Sequence, residues 1–185
     1  MQKKYFWPIL AVLVACDTQT NLGNHELLGT WKAECHDFQS TTDGSGSSTA
    51  DELVFTSDSM ILYDKWYSGT GCIKPSNTGK IVFSLELKSN GGQGEINFQG
   101  LTYIVIPHTQ EVLDYYVSRY DYEFELNKET DLTDVAPQVS EFDMNYQIYK
   151  IQEDVLYFGA SDGVRDGTSS EKRPVEYALN GYSRQ

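Results

Sequence analysis

The side chains best suited to chemistry in this sequence are three cysteines and three histidines. Cys35 and His36 are adjacent, but neighbouring residues of a strand point to opposite faces, which argues against a thiol–imidazole pair. The sequence has no His-Glu-x-x-His helix, no Gly-x-Ser-x-Gly elbow and no glycine-rich phosphate loop before a helix. Its acidic loops lack the spacing of a calcium-binding EF-hand. The sequence therefore predicts a protein that is not an enzyme and holds neither a metal nor a cofactor.

Cys16 ends a short apolar segment that follows two lysines. The segment, about ten residues long, is too short for a transmembrane helix, which needs about twenty. Leu13-Val14-Ala15-Cys16 resembles the lipobox of bacterial lipoproteins. This resemblance implies that residues 1–15 are a signal peptide and that Cys16 carries acyl chains, palmitate among them. The expected location is the envelope of a Gram-negative bacterium, at the inner or outer membrane. A plain secretory signal with an incidental cysteine is the alternative.

The other two cysteines, Cys35 and Cys72, form an even pair. In an oxidising compartment such a pair favours a disulfide, and two free thiols are the alternative. Two cysteines without a matching histidine spacing do not make a zinc site.

The formal net charge of −13 limits the classes of partner. Nucleic-acid binding requires clustered basic residues, so we expect no nucleic-acid partner. The excess of acidic residues either keeps the protein soluble or attracts a basic partner.

Alternating apolar and polar residues predict about nine antiparallel strands. Val112, Leu113, Tyr116 and Val117 recur at helical spacing, and Thr109 is a suitable cap, so one short helix is expected at 108–119. A polar tether at 16–26 precedes the expected domain at 27–185. The predicted strands are 27–35, 53–56, 60–67, 80–88, 95–106, 120–126, 142–151, 155–160 and 175–182, with a long loop at 39–50.

Gly29-Thr30-Trp31 in the first strand is similar to the Gly-x-Trp motif of lipocalins. The resemblance implies that Trp31 packs across the closed end of a barrel, with an arginine from the last strand over its ring. Arg184 is positioned for that role, and Arg173 is the competing candidate. Segments 106–112 and 156–159 resemble those of small bacterial lipoproteins with a lipocalin-like domain. The expected fold is an all-β, antiparallel lipocalin-like barrel of about eight or nine strands with one short helix.

An open barrel of this kind is expected to be a monomer that binds a small apolar or amphipathic ligand. Trp66, Phe83 and Tyr103 are the candidate ligand contacts, although aromatic side chains more often pack in a core. The membrane is the second expected partner, through the acyl chains on Cys16. The alternative function is an acidic protein-interaction module, such as an inhibitor of a basic hydrolase.

Overall fold

The chain folds mostly as consecutive antiparallel strands. A computed structural model describes residues 26–39, 46–89, 91–135 and 143–185, and Cys16 lies outside them. The described residues contain ten strands and two helical segments. These are β1 (Gly29–Ala33), β2 (His36–Gln39), β3 (Gly46–Phe55), β4 (Ser59–Ser68), β5 (Lys74–Ser89), β6 (Gln93–Pro107), α1 (Gln110–Arg119), β7 (Thr130–Asp131), β8 (Asn145–Gln152), β9 (Val155–Phe158), a 3-10 helix (Ser170–Lys172) and β10 (Tyr182–Arg184). None of the helices in this part of the chain is long and apolar enough to cross a membrane.

Eight of the strands close into a barrel. In the series β3, β4, β5, β6, β8, β9 and β10, each strand pairs with the one that follows it, which gives six consecutive pairings. β1 pairs on one side with β10, where Trp31 lies opposite Arg184, and on the other side with β3. β2 extends the sheet beyond β3, and β7 adds a short pairing to β6. The prediction of an all-β, antiparallel lipocalin-like barrel is confirmed.

The period-two pattern of β5 shows how the sequence positions the barrel interior. Ile81 and Phe83 are buried, whereas Lys80 faces outward and pairs with Glu129. The β5–β6 register shifts between Val82 and Phe83, where Phe83 pairs with Gly100, so the strand pairing is irregular at this glycine.

The main core fills the end of the barrel where β1 and β10 meet. It consists of aromatic and aliphatic residues from the strands and from the segment before β1, namely Leu27, Trp31, Leu53, Phe55, Met60, Ile81, Phe83, Ile96, Tyr149 and Leu156. At about 25 cal/mol per Å² of apolar surface removed from water, such side chains supply most of the driving force for folding.

The predicted helix is confirmed, and it forms a second, smaller core. Thr109 caps α1 through its side chain, which accepts a hydrogen bond from the Val112 amide at 3.4 Å. Tyr116 from the helix packs with Phe124, Leu132 and Val105 against the inner face of β6. The helix therefore lies beside the barrel mouth, away from the main core.

Three expectations about the elements are wrong. Residues 120–126 alternate like a strand but form a non-strand segment whose Phe124 packs on Tyr116 at a ring-centroid distance of 5.4 Å. Residues 175–182 make only an isolated bridge between Tyr177 and Gly159, and the last strand begins at Tyr182. The expected loop at 39–50 is shortened by β2 and by β3, which starts at Gly46.

Candidate functional site

The closed end of the barrel is built around Trp31, which is 0% exposed. Its indole N–H donates to the Leu27 carbonyl at 2.7 Å, and the Arg184 guanidinium lies 4.2 Å from its ring centroid. Arg184 also donates to the carbonyls of Glu26 and Leu28. The arginine thus ties the segment before β1 to the last strand while it covers the tryptophan.

Gly29 has a conformational reason to be glycine, because its φ of 113° lies in a region that L side chains rarely adopt. Arg173, the competing candidate for the Trp31 contact, lies elsewhere. It donates to the Asn97 side chain at 2.7 Å and lies 5.5 Å from the Tyr146 ring centroid. Of the two arginines, the structure brings only Arg184 to Trp31.

An apolar cavity of about 310 Å³ adjoins the main core, and Leu53, Met60 and Phe83 belong to both. Leu53, Met60 and Leu62 line it from β3 and β4, and Phe83 and Phe98 line it from β5 and β6. This volume is at the lower end of the roughly 300–1,000 Å³ typical of small-molecule sites. The cavity can therefore hold a small apolar group.

A wider groove of about 700 Å³ lies at the mouth of the barrel. Asp51 and Thr49 line it from β3, His36 from β2, and Leu179 from the segment before β10. Phe158 and Tyr182 line both the groove and the apolar cavity, so the two spaces adjoin at these residues.

Asp51 and Asp64 lie directly opposite each other on β3 and β4. Asp51 is two residues before the buried Leu53, and Asp64 is two residues after the cavity-lining Leu62, so strand alternation places both on the interior face. Like charges at directly opposed positions destabilise a sheet. None of the ion pairs among the described residues includes either of these carboxylates.

Burial is the main reason that the pKa of Asp51 rises to about 6, and the nearby charge of Asp64 raises it further. The Tyr182 hydroxyl donates to Asp51 Oδ2 at 3.5 Å and opposes that rise. The pKa of Tyr182 is itself raised, first by burial and then by the charge of Asp51. The mouth is thus an electronegative site that is partly removed from water.

Two amide oxygens facing the interior add acceptors that have no donor. Asn77 lies opposite Trp66, and its Oδ1 is buried without a hydrogen-bond partner. Gln147 lines the apolar cavity, and its Oε1 is buried and unpartnered in the same way. Such groups are rare in native proteins, because each leaves a desolvation cost of about 1–3 kcal/mol uncompensated.

The three aromatic residues proposed as ligand contacts occupy different positions. Phe83, which is 1% exposed, lines the apolar cavity. Tyr103 packs against both the main core and the second, smaller core that contains Tyr116. Its ring and the Asp64 side chain both lie close to Gly79. Trp66 is at the rim, 41% exposed, and its indole N–H donates to Asp64 Oδ2 at 2.9 Å.

The residues that the sequence reasoning missed are Asp51, Asp64 and Tyr182. A signal for the two aspartates was present, because each continues the period of an apolar strand face: Asp51 before Leu53, and Asp64 after Leu62. Tyr182 carried no comparable signal, because β10 is only three residues long.

The disulfide prediction is confirmed. Cys35 and Cys72 are bonded, with a Cα–Cα distance of 5.9 Å, and they join the β1–β2 connection to the β4–β5 connection beside the groove. Within the described residues, no group of three or more His, Cys, Asp or Glu side chains could hold a metal ion.

The fold and the site together define an eight-stranded, up-and-down antiparallel barrel with a covered end, an apolar cavity and an acidic mouth. No protein-family model matches the chain, and no curated protein matches it in sequence.

Proposed function

We propose that this protein is a lipid-anchored, non-enzymatic binding protein of the Gram-negative envelope that holds a small apolar or amphipathic ligand inside its barrel. The observation that carries this proposal is the apolar cavity of about 310 Å³, which adjoins the main core and the mouth groove. The anchor at Cys16 and the envelope location rest on the sequence pattern at 13–16.

The lining favours binding over catalysis. The side chains around the cavity are mainly aliphatic and aromatic, which supply contact area, while Gln147 and Tyr182 provide polar groups at its edge. This distribution, with few polar groups on an apolar wall, is typical of ligand pockets.

The experiment is a titration with the neutral apolar dye N-phenyl-1-naphthylamine, followed by its emission. We expect saturable binding, weakened about tenfold or more by Leu62→Trp, which places the larger ring in the cavity. Leu101→Trp is the matched control, because Leu101 is 51% exposed on β6. Leu62→Phe serves if the tryptophan variant fails to fold. Absence of saturable binding, or equal binding by the filled and control variants, contradicts the proposal.

The formal charge of −13 favours a second candidate function, inhibition of a basic hydrolase. Opposite net charges accelerate association, and salt screens that attraction. We expect an inhibitor of this kind to bind hen lysozyme, used as a basic probe, at low ionic strength and to release it as salt is added. No binding at low salt eliminates this candidate.

A further inference from the structure

We propose that the ligand of the barrel is a small organic cation, an amine or ammonium amphipath, whose apolar part enters the cavity and whose positive group lies against Asp51 and Asp64. This inference rests on the proposed function, since it specifies the ligand class of the same site. It depends on the arrangement of charges and hydrogen-bonding groups where the cavity meets the groove.

Several polar groups of the barrel interior are acceptors. The two aspartates contribute carboxylate oxygens from β3 and β4. Elsewhere in the interior, Asn77 Oδ1 opposite Trp66 and Gln147 Oε1 in the cavity lining are buried without a hydrogen-bond partner. Two nearby donors are already engaged, because Trp66 donates to Asp64 and Tyr182 donates to Asp51. A ligand with N–H donors and a positive charge supplies what these oxygens lack.

The cations closest in sequence are directed elsewhere. Lys65 follows Asp64 but lies on the outer face, where its Nζ is 2.6 Å from Glu52 Oε2. Lys80, next to the interior Gly79, pairs outward with Glu129 at 2.9 Å. The protein therefore places two opposed carboxylates inside the barrel, and neither of them takes part in an ion pair among the described residues. An ammonium group between them would relieve a repulsion that the fold otherwise retains.

Aromatic rings complete the site. Trp66 and Tyr103 flank Asp64, and Tyr182 adjoins Asp51. Aromatic faces attract organic cations, by about 2 kcal/mol when the pair is removed from water. A site that combines carboxylates with aromatic rings therefore favours a cation over a neutral or anionic molecule with the same apolar part.

The energetics of the apolar part show why the charged end matters. An alkyl chain of about eight carbons gains about 0.8 kcal/mol per buried methylene, or about 6 kcal/mol in all. Association costs about 4 kcal/mol or more, so burial of the chain alone gives weak binding. Contacts at the mouth then decide the affinity and the selectivity.

The experiment compares octylamine, octanol and octanoate, which share one chain, by isothermal titration calorimetry at about pH 7.5, above the pKa of Asp51. We expect octylamine to bind about 10- to 100-fold more tightly than octanol, and octanoate to bind most weakly. In Asp51→Asn/Asp64→Asn the preference for the amine should fall to about threefold or less.

The control is Glu86→Gln/Glu153→Gln, which removes the same charge from two exposed positions. It should keep the preference, because the attraction arises at the mouth rather than from net charge. Equal affinity for the three ligands in the wild-type protein overturns the inference and leaves the proposed function intact. No binding of any of the three overturns both. Loss of the preference in the control variant also overturns the inference.

Discussion

Asp51 and Asp64 face each other across β3 and β4 on the interior side of the barrel. An acidic pair of this kind lowers stability, because burial and mutual repulsion both disfavour the ionised state. In the proposed complex, a bound cation offsets this loss of stability.

We predict that Asp51→Asn stabilises the unliganded protein at neutral pH. The pKa of Asp51 is higher in the folded protein, about 6, than its usual 3.8, so folding favours the protonated form. The stability that this group contributes is present below about pH 4 and is lost as the pH rises through 6. The variant should therefore match the wild type near pH 4 and exceed it by about 1–3 kcal/mol near pH 7.

Urea unfolding of both proteins across this pH range measures the difference directly. Glu86→Gln, at an exposed position, is the control and should show no such pH-dependent gain. A constant difference between Asp51→Asn and the wild type at all pH values contradicts the assignment.

We predict that Arg184→Ala destabilises the closed end by about 2–4 kcal/mol. The variant loses the contact with Trp31 and the hydrogen bonds to the carbonyls of Glu26 and Leu28. Arg184→Lys should recover only part of this, because an ammonium group lacks the planar fork of donors. In thermal unfolding, the melting temperature should fall from the wild type to Arg184→Lys and further to Arg184→Ala. An Arg184→Ala variant as stable as the wild type refutes the prediction.

The disulfide supplies the third prediction. Cys35→Ser/Cys72→Ser opens a loop that spans 37 residues of sequence separation. In the chain-entropy model this costs about 3–4 kcal/mol. In denaturant unfolding, the variant and the reduced wild-type protein should have similar midpoints. A reduced wild type as stable as the oxidised protein contradicts this prediction.

The anchor can be tested in a Gram-negative host that processes lipoproteins. We predict that the protein partitions into the membrane fraction and that Cys16→Ser moves it to the soluble fraction, because the acyl chains are lost. Intact mass of the wild-type protein should show the removal of residues 1–15 and the addition of acyl groups. An unmodified Cys16 in the mature chain rules out the lipid anchor.

Local sequence rules accounted for much of the barrel. The alternation in β5 and the helical spacing at 112–117 each predicted an element that the structure contains, because a regular apolar face must be buried. The Gly-x-Trp motif was also informative, because it reflects local features of the chain. Gly29 has a positive φ, and Trp31 is fully buried.

The features that the sequence did not predict depend on contacts between segments that are far apart in the chain. Residues 120–126 have a strand pattern, but Phe124 packs on the helix instead of pairing in the sheet. The acidic pair at the mouth requires the β3–β4 register, which brings Asp51 opposite Asp64. Strand alternation alone places each aspartate on the interior face, but it does not show that the two lie opposite each other.

The most direct test of the central claim is methyl NMR of the protein during titration with octylamine. If the barrel interior binds the ligand, intermolecular NOEs should join the octyl chain to the methyl groups of Met60 and Leu62, which line the cavity. The methyl groups of Ile73 and Val164, which are 77% and 73% exposed, should show none. NOEs confined to these exposed methyl groups, or no NOEs at saturation, would contradict a ligand-binding barrel.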